Sequence, residues 1–117
     1  MIREDYVSYE IAKLLKEKGF NVELQCYSYD AVTKENVNIY WQKNINGLLP
    51  RCTHQLAMKW LRVKHNIHIA VDRGIEHYFA VLTKLKPYQD LTMKNDVFDT
   101  YEEAVEAALK YCLTKLI

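Results

Sequence analysis

The hydrophobic pattern of this 117-residue chain predicts an α+β fold, with three helices packed on an antiparallel sheet of about four strands in the order α-ββ-α-ββ-α. Two observations carry that expectation. Stretches at the start, middle and end repeat apolar residues at helical spacing, each bounded by start or stop residues. Between them lie two pairs of stretches that alternate with period two around turn-forming residues. One domain covering residues 1–117 is the economical organisation, because a chain of this length buries roughly 65% of its unfolded surface in one core.

The first helix is expected in "DYVSYEIAKLLKEKGF", where Val7, Ile11, Leu14, Leu15 and Lys18 share helical spacing. Acids stand at its start and lysines at its end, matching the helix dipole. Gly19 can take the left-handed conformation that stops a helix at Lys18, with Phe20 closing over Leu15. In "NVELQCYSYD", Val22, Leu24, Cys26 and Ser28 alternate with Glu23, Gln25, Tyr27 and Tyr29, which predicts a half-buried strand. After the turn-rich "AVTKEN", Val37, Ile39 and Trp41 on one side suggest a hairpin partner. "QKNINGLLPRC" reads as loop, with Asn46, Gly47 and Pro50 as breakers.

Thr53 is placed to cap a second helix, "HQLAMKWLRVK", whose apolar stripe is Leu56, Ala57, Trp60 and Leu61 and which should fray near Asn66. The period then changes. Ile67, Ile69 and Val71 are answered across an Arg73-Gly74 turn by Tyr78, Ala80 and Leu82, so 67–72 should pair with 77–83. A polar loop follows Pro87 and runs to Asp96. The C-terminal helix opens with Thr100 and Glu103, or Asp99 and Glu102, as a capping box, with Phe98 in the staple position. Its stripe is Tyr101, Val105, Ala108, Cys112 and Leu116, widened by Ala104, Leu109 and Leu113, while Glu102, Glu106 and Lys110 fall opposite.

Composition narrows the function classes. Half the residues are hydrophobic and 26% are charged, which is globular composition. The N-terminal "MIREDYVSYE" lacks the apolar core of a secretory signal, and no apolar run reaches the ~20 residues of a membrane helix, so a soluble cytoplasmic protein without membrane contact is expected. Cys26, Cys52 and Cys112 are odd in number, lack C-x-x-C spacing and lie in different segments, so reduced thiols and no disulfide-linked partner are expected. With three glycines and neither G-x-G-x-x-G nor a phosphate-binding loop, no nucleotide cofactor is implied.

"CTHQLAMKWLRVKHNIH" gathers one cysteine and three of the four histidines. Along a helix His54 and His65 would stand about 16 Å apart, whereas zinc ligands converge to about 2.0 Å from the metal. His65, His68 and His77 remain the metal candidates, since His77 shares a strand face with His68 by alternation. The competing reading, which outweighs it, has His65 settle the helix C-terminus through the dipole and His68 lie on a half-exposed sheet. A nucleophilic Cys52 beside His54 has the helix N-terminus in its favour, but no orienting acid or oxyanion loop completes it. No catalytic residue is assigned, and no enzyme is expected.

The net charge of +1 is unevenly spread: residues 1–49 carry −1, residues 50–86 carry +5 and residues 87–117 carry −3. Gln55, Lys59 and Arg62 recur on the polar side of the second helix, with Arg51, Lys64 and Arg73 nearby, a set able to track phosphates or read base edges. Every amphipathic helix also needs a polar face, and the net charge is small. The aromatic load is high: nine Tyr, two Trp and three Phe. Tyr27, Tyr29, Tyr40 and Trp41 cluster at the first hairpin, where alternation cannot bury them all, and surplus aromatics suit a protein-contact or self-association surface.

"LPRCTHQLAMKWLRVKHNIHI" together with "FDTYEEAVEAALKYCL" resembles a family of small uncharacterised proteins of gut anaerobic bacteria, their prophages and other mobile elements. The similar features are the Thr-His-Gln helix start, Lys59 to Arg62, Ile67 to Ile69 and Tyr101 to Ala104, about a third of the chain. Members of that family often carry proline directly before the threonine, where this chain has Cys52. The resemblance implies a mobile-element context, assigns no activity, and gives Cys52 a pre-helix rather than a catalytic position. The expectation is thus a non-enzymatic accessory protein acting through protein contacts, in one reading as a dimer. The alternative is a nucleic-acid binder using the second helix.

Overall fold

A computed structural model describes residues 4–22, 26–42, 45–84, 87–91 and 96–117. Along them run α1 (Tyr9–Glu17), β1 (Tyr27–Asp30), β2 (Asn36–Tyr40), β3 (Leu48–Arg51), α2 (His54–His65), β4 (Ile67–Arg73), β5 (Tyr78–Lys84), β6 (Gln89–Asp90) and α3 (Tyr101–Tyr111), which continues as a π-helical turn (Cys112–Leu116). The α+β class and its three helices stand. The single sheet of about four strands does not: the strands form two three-stranded antiparallel sheets, and the order becomes α-βββ-α-βββ-α. The chain divides into two compact units, Met1–Leu56 and Ala57–Ile117, with the boundary inside α2.

In the first unit α1 starts later than the apolar spacing suggests. Ser8 is its N-cap, accepting from the Ile11 amide at 3.3 Å, so Val7 lies in the extended segment before the helix. Its C-terminus follows the glycine expectation. Gly19 has φ 87°, its amide donates to the Lys16 carbonyl at 3.2 Å, and the Phe20 amide donates to the Leu15 carbonyl at 2.9 Å. Leu15 and Phe20 are both buried, and the Phe20 ring lies 5.3 Å from that of Trp41. The helix packs on β3, and Lys16 Nζ donates to the Leu48 carbonyl at 3.0 Å.

Residues 27–30 form β1, with Ser28 buried and Tyr27 and Tyr29 half-buried. Glu23, Leu24 and Gln25, the first part of that expected strand, lie outside the described residues. A tight turn follows. Asp30 Oδ1 accepts from the amides of Val32 and Thr33, each at 2.8 Å, which holds its carboxyl below the usual range. The hairpin partner forms, with a register irregularity between Tyr27↔Tyr40 and Ser28↔Val37. Asn38 and Ile39 lie within that irregularity. Ile39 is therefore 52% exposed while Trp41, assigned to the same side by alternation, is fully buried.

Residues 48–51, read as loop because of Pro50, are strand β3, paired antiparallel with β1 as Ser28↔Pro50 and Tyr27↔Arg51. Proline is tolerated there because β3 is an end strand of the order β2-β1-β3, where its missing amide costs no ladder bond. The N-terminal segment lies along the continuation of β3. Val7 N donates to the Cys52 carbonyl and His54 N to the Asp5 carbonyl, each at 2.9 Å, around a Tyr6↔Thr53 bridge.

Thr53 Oγ1 accepts from the Leu56 amide at 3.2 Å, as expected of the α2 cap. Ala57, Trp60 and Leu61 are buried, and Asn66, at φ 57°, ends the helix. In the second unit β4 and β5 pair from Ile67↔Lys84 to Arg73↔Tyr78, burying Ile67, Ile69, Ala80 and Leu82 on one face. The loop after Pro87 contains β6, missed because two residues carry no period; its partners on β5 are Thr83 and Lys84. Residues 92–95 of that expected loop lie outside the described residues. Thr100 caps α3, accepting from the Glu103 amide at 3.1 Å. Phe98, just before that cap, forms a backbone bridge with Tyr78. The helix packs across β4 and β5 through Ala104, Val105, Ala108 and Leu109. Tyr101, expected in that stripe, is 38% exposed and edge-on to Tyr78 at 6.3 Å.

Candidate functional site

The sheet of the first unit carries an aromatic and cationic array at one end. The register Tyr40↔Tyr27↔Arg51 places the three side chains in one row across β2, β1 and β3. The Tyr27 and Tyr40 rings are stacked, 5.0 Å apart and 9° from parallel. Arg51 continues the row, its guanidinium carbon 5.2 Å from the Tyr27 ring and 4.7 Å from the Tyr6 ring. Such cation–ring contacts contribute roughly 0.5–1 kcal/mol each where solvent reaches them. Arg51 Nε is buried and has no hydrogen-bond partner among the described residues.

The four residues of the expected aromatic surface therefore separate. Tyr40 is 51% exposed and Tyr27 half-buried against it. Tyr29 turns to the helix side, its hydroxyl donating to the Val7 carbonyl at 2.6 Å and its ring edge-on to Tyr9 at 6.1 Å. Trp41 is fully buried against Phe20, so it forms no part of a contact surface.

The strand bearing Tyr40 is the exposed edge of its sheet. All of β2 except Val37 is solvent-exposed, and no strand pairs with its outer side among the described residues. The other end strand, β3, continues into the bridge with the N-terminal segment. In the second sheet, β4 is the corresponding edge and carries Asp72 and Arg73. Charges of that kind discourage edge-to-edge pairing. Asn36, Val37, Asn38, Ile39 and Tyr40 include no charge and no proline.

The basic set is also divided. Gln55, Lys59, Arg62 and Lys64 are exposed on α2, a helix without an acidic residue. Arg51 does not join them because it is engaged with Tyr6 and Tyr27. Arg73 is exposed at the far end of β4, about 20 Å along the strand from Ile67.

The histidines do not converge. His68 pairs with Thr83, six positions along β5 from His77, which is about 20 Å. His77 lies in the hairpin loop, its carbonyl accepting from Gly74 N at 2.8 Å. No three His, Cys, Asp or Glu side chains come together among the described residues. His65 stands edge-on to Trp60 at 4.9 Å. Burial, and then the charge of Lys84, lower its pKa, so its surroundings disfavour the cation that the dipole reading needed.

The site sequence reasoning missed is a thiol pair. Cys26 and Cys52 stand one position beyond Tyr27↔Arg51, the last pair of that ladder, and their side chains are hydrogen-bonded. Reading residues 48–51 as a loop hid this contact. With β3 in register, Cys52 finds its thiol partner in Cys26 across the ladder. In the second unit, Asp96, Phe98, Ala107, Lys110, Tyr111, Thr114 and Lys115 line an open cleft of about 310 Å³, beside the π-helical turn.

No helix among the described residues is long and apolar enough to cross a membrane. The chain matches no protein-family model, no curated protein and no solved structure.

Proposed function

We propose that this protein is a non-enzymatic interaction module, of the accessory kind found in phages and mobile elements, that self-associates by pairing the outer edge of β2 with β2 of a second copy. The observation that supports it is the uncovered, uncharged strand Asn36–Tyr40 beside the Tyr27–Tyr40 stack. An unpaired strand edge offers a row of backbone donors and acceptors. Antiparallel pairing about a two-fold axis satisfies that row in both copies at once and covers Ile39 and Tyr40, each about half exposed. A contact only five residues long is short for a permanent dimer, so association rises with concentration.

Size-exclusion chromatography with light scattering tests this. The wild type moves from monomer toward dimer mass as concentration increases, and Ile39→Lys, a change at an exposed side chain, stays monomeric. A wild type that remains strictly monomeric at high concentration sinks the reading.

A second reading rests on a separate observation, the exposed Gln55, Lys59 and Arg62 on one side of the acid-free α2, with Lys64 also exposed on that helix. It makes the protein a nucleic-acid binder. Its signature is retention on a nucleic-acid column that salt abolishes and that Lys59→Ala with Arg62→Ala removes. Lack of retention at low salt excludes it.

A further inference from the structure

We propose that Cys26 and Cys52 form a redox-active dithiol that a small hydroperoxide converts to an intramolecular disulfide, with Cys26 as the attacking thiol and Cys52 as the resolving one.

The geometry comes from the sheet. Tyr27↔Arg51 is the last ladder pair, and Cys26 and Cys52 stand one step beyond it. Their backbones bond outward. The Cys26 carbonyl accepts from Trp41 N and the Cys52 carbonyl from Val7 N, each at 2.9 Å. By continuation of that register the two cysteines stand where a narrow, non-hydrogen-bonded antiparallel pair would fall, a position whose α-carbons ordinarily lie about 4.5 Å apart. A disulfide requires α-carbons about 4.4–6.8 Å apart, a range that this kind of position meets. The side-chain hydrogen bond already brings the two sulfur atoms together.

The surroundings assign the roles. Cys26 is 5% exposed and Cys52 fully buried, so an oxidant reaches Cys26 first, and only a small one fits. The hydrogen bond from Cys52 lowers the Cys26 pKa, the charge of Arg51 adds to this, and burial opposes both. Thiolate is the reactive form. Cys112 provides the contrast. It is fully buried, and burial pushes its thiol up to about 12, which keeps it protonated.

The chemistry balances with hydrogen peroxide as oxidant. The Cys26 thiolate attacks one peroxide oxygen, the O–O bond breaks, and hydroxide leaves and takes up the proton that Cys26 released. The product is a sulfenic acid on Cys26. Cys52 Sγ then attacks Cys26 Sγ, the S–O bond breaks, and hydroxide leaves with the Cys52 proton as a second water. Both sulfur atoms are oxidised and the peroxide is reduced to two waters.

The test uses the intact chain, exposed to hydrogen peroxide, quenched, denatured, alkylated and mapped by peptide mass spectrometry. The expected product has lost two hydrogens, links the Cys26 peptide to the Cys52 peptide, and leaves Cys112 open to alkylation. A dithiol reductant returns all three to the alkylated form. In Cys52→Ala, Cys26 stops at the sulfenic acid and is trapped by a 1,3-dione reagent; Cys26→Ala loses both products. Alkylation of all three cysteines after peroxide treatment overturns the proposal, as does a linkage that includes Cys112. The wild-type peptide map alone separates these outcomes, so a variant that fails to fold does not shelter the proposal.

Discussion

The Tyr40 ring lies flat against that of Tyr27, 5.0 Å between centroids, and their hydroxyls are hydrogen-bonded. Tyr40 ionises above the usual tyrosine range, first because of the hydrogen bond to Tyr27 and then because a second phenolate would stand beside it. Replacing Tyr27 by Phe removes that partner. The expected result in a spectrophotometric pH titration is that the late-ionising tyrosine returns toward about 10. An unchanged titration curve would show that the two hydroxyls do not interact in solution.

His65 makes stability depend on pH on the acid side. Its folded pKa is lowered by burial and by Lys84, whereas the unfolded chain gives it about 6.5. Below that value the unfolded state binds a proton that the folded state resists, so stability falls with falling pH, by at most about 1.4 kcal/mol per pH unit for one proton. Urea midpoints measured from pH 8 to 5 should therefore drop more steeply in the wild type than in His65→Gln. Equal slopes would remove His65 as the cause.

Cys112 acts at the alkaline end. The folded thiol titrates at about 12 and the unfolded one near 9.0, so its contribution is complete below about 9 and is lost as pH rises toward 12. The limiting slope is again about 1.4 kcal/mol per pH unit. Cys112→Ala lowers stability at pH 7 by leaving a small cavity, yet its stability should decline less between pH 9 and 10.5. Parallel denaturation curves over that interval would contradict the burial argument.

Gly19→Ala should destabilise by about 1 kcal/mol in chemical denaturation, because φ 87° strains any L side chain. Among the described residues, none beyond its chain neighbours lies within 4 Å of the added Cβ, so the effect is conformational. A neutral result would mean that α1 ends differently in solution.

Features coded within a few residues were legible beforehand. Gly19 with Phe20, Thr53 and Thr100 depend on local backbone chemistry and are where that chemistry places them, and the hairpin expected over 67–72 and 77–83 forms as 67–73 with 78–84, one residue shifted at its turn. Features created by pairing distant segments were not. Pro50 reads as a breaker until β3 is known to be an end strand, and Arg51 reads as a surface cation until Tyr6 and Tyr27 close around it. Trp41 shared a period with Ile39 that the irregular β1–β2 register then broke.

The amino-acid sequence by itself determined the α+β class, the three helices with the stop of the first and the caps of the other two, and the central hairpin, because caps, turns and periodicity act over one or two turns of chain. Tertiary structure alone divided the strands into two sheets, left β2 as an edge that no other described strand covers and brought Cys26 to Cys52 across 26 residues of sequence. The physical reason is that strand partners are chosen by competition among distant edges for backbone hydrogen bonds, and a residue's neighbours across a ladder leave no periodic trace in its own segment.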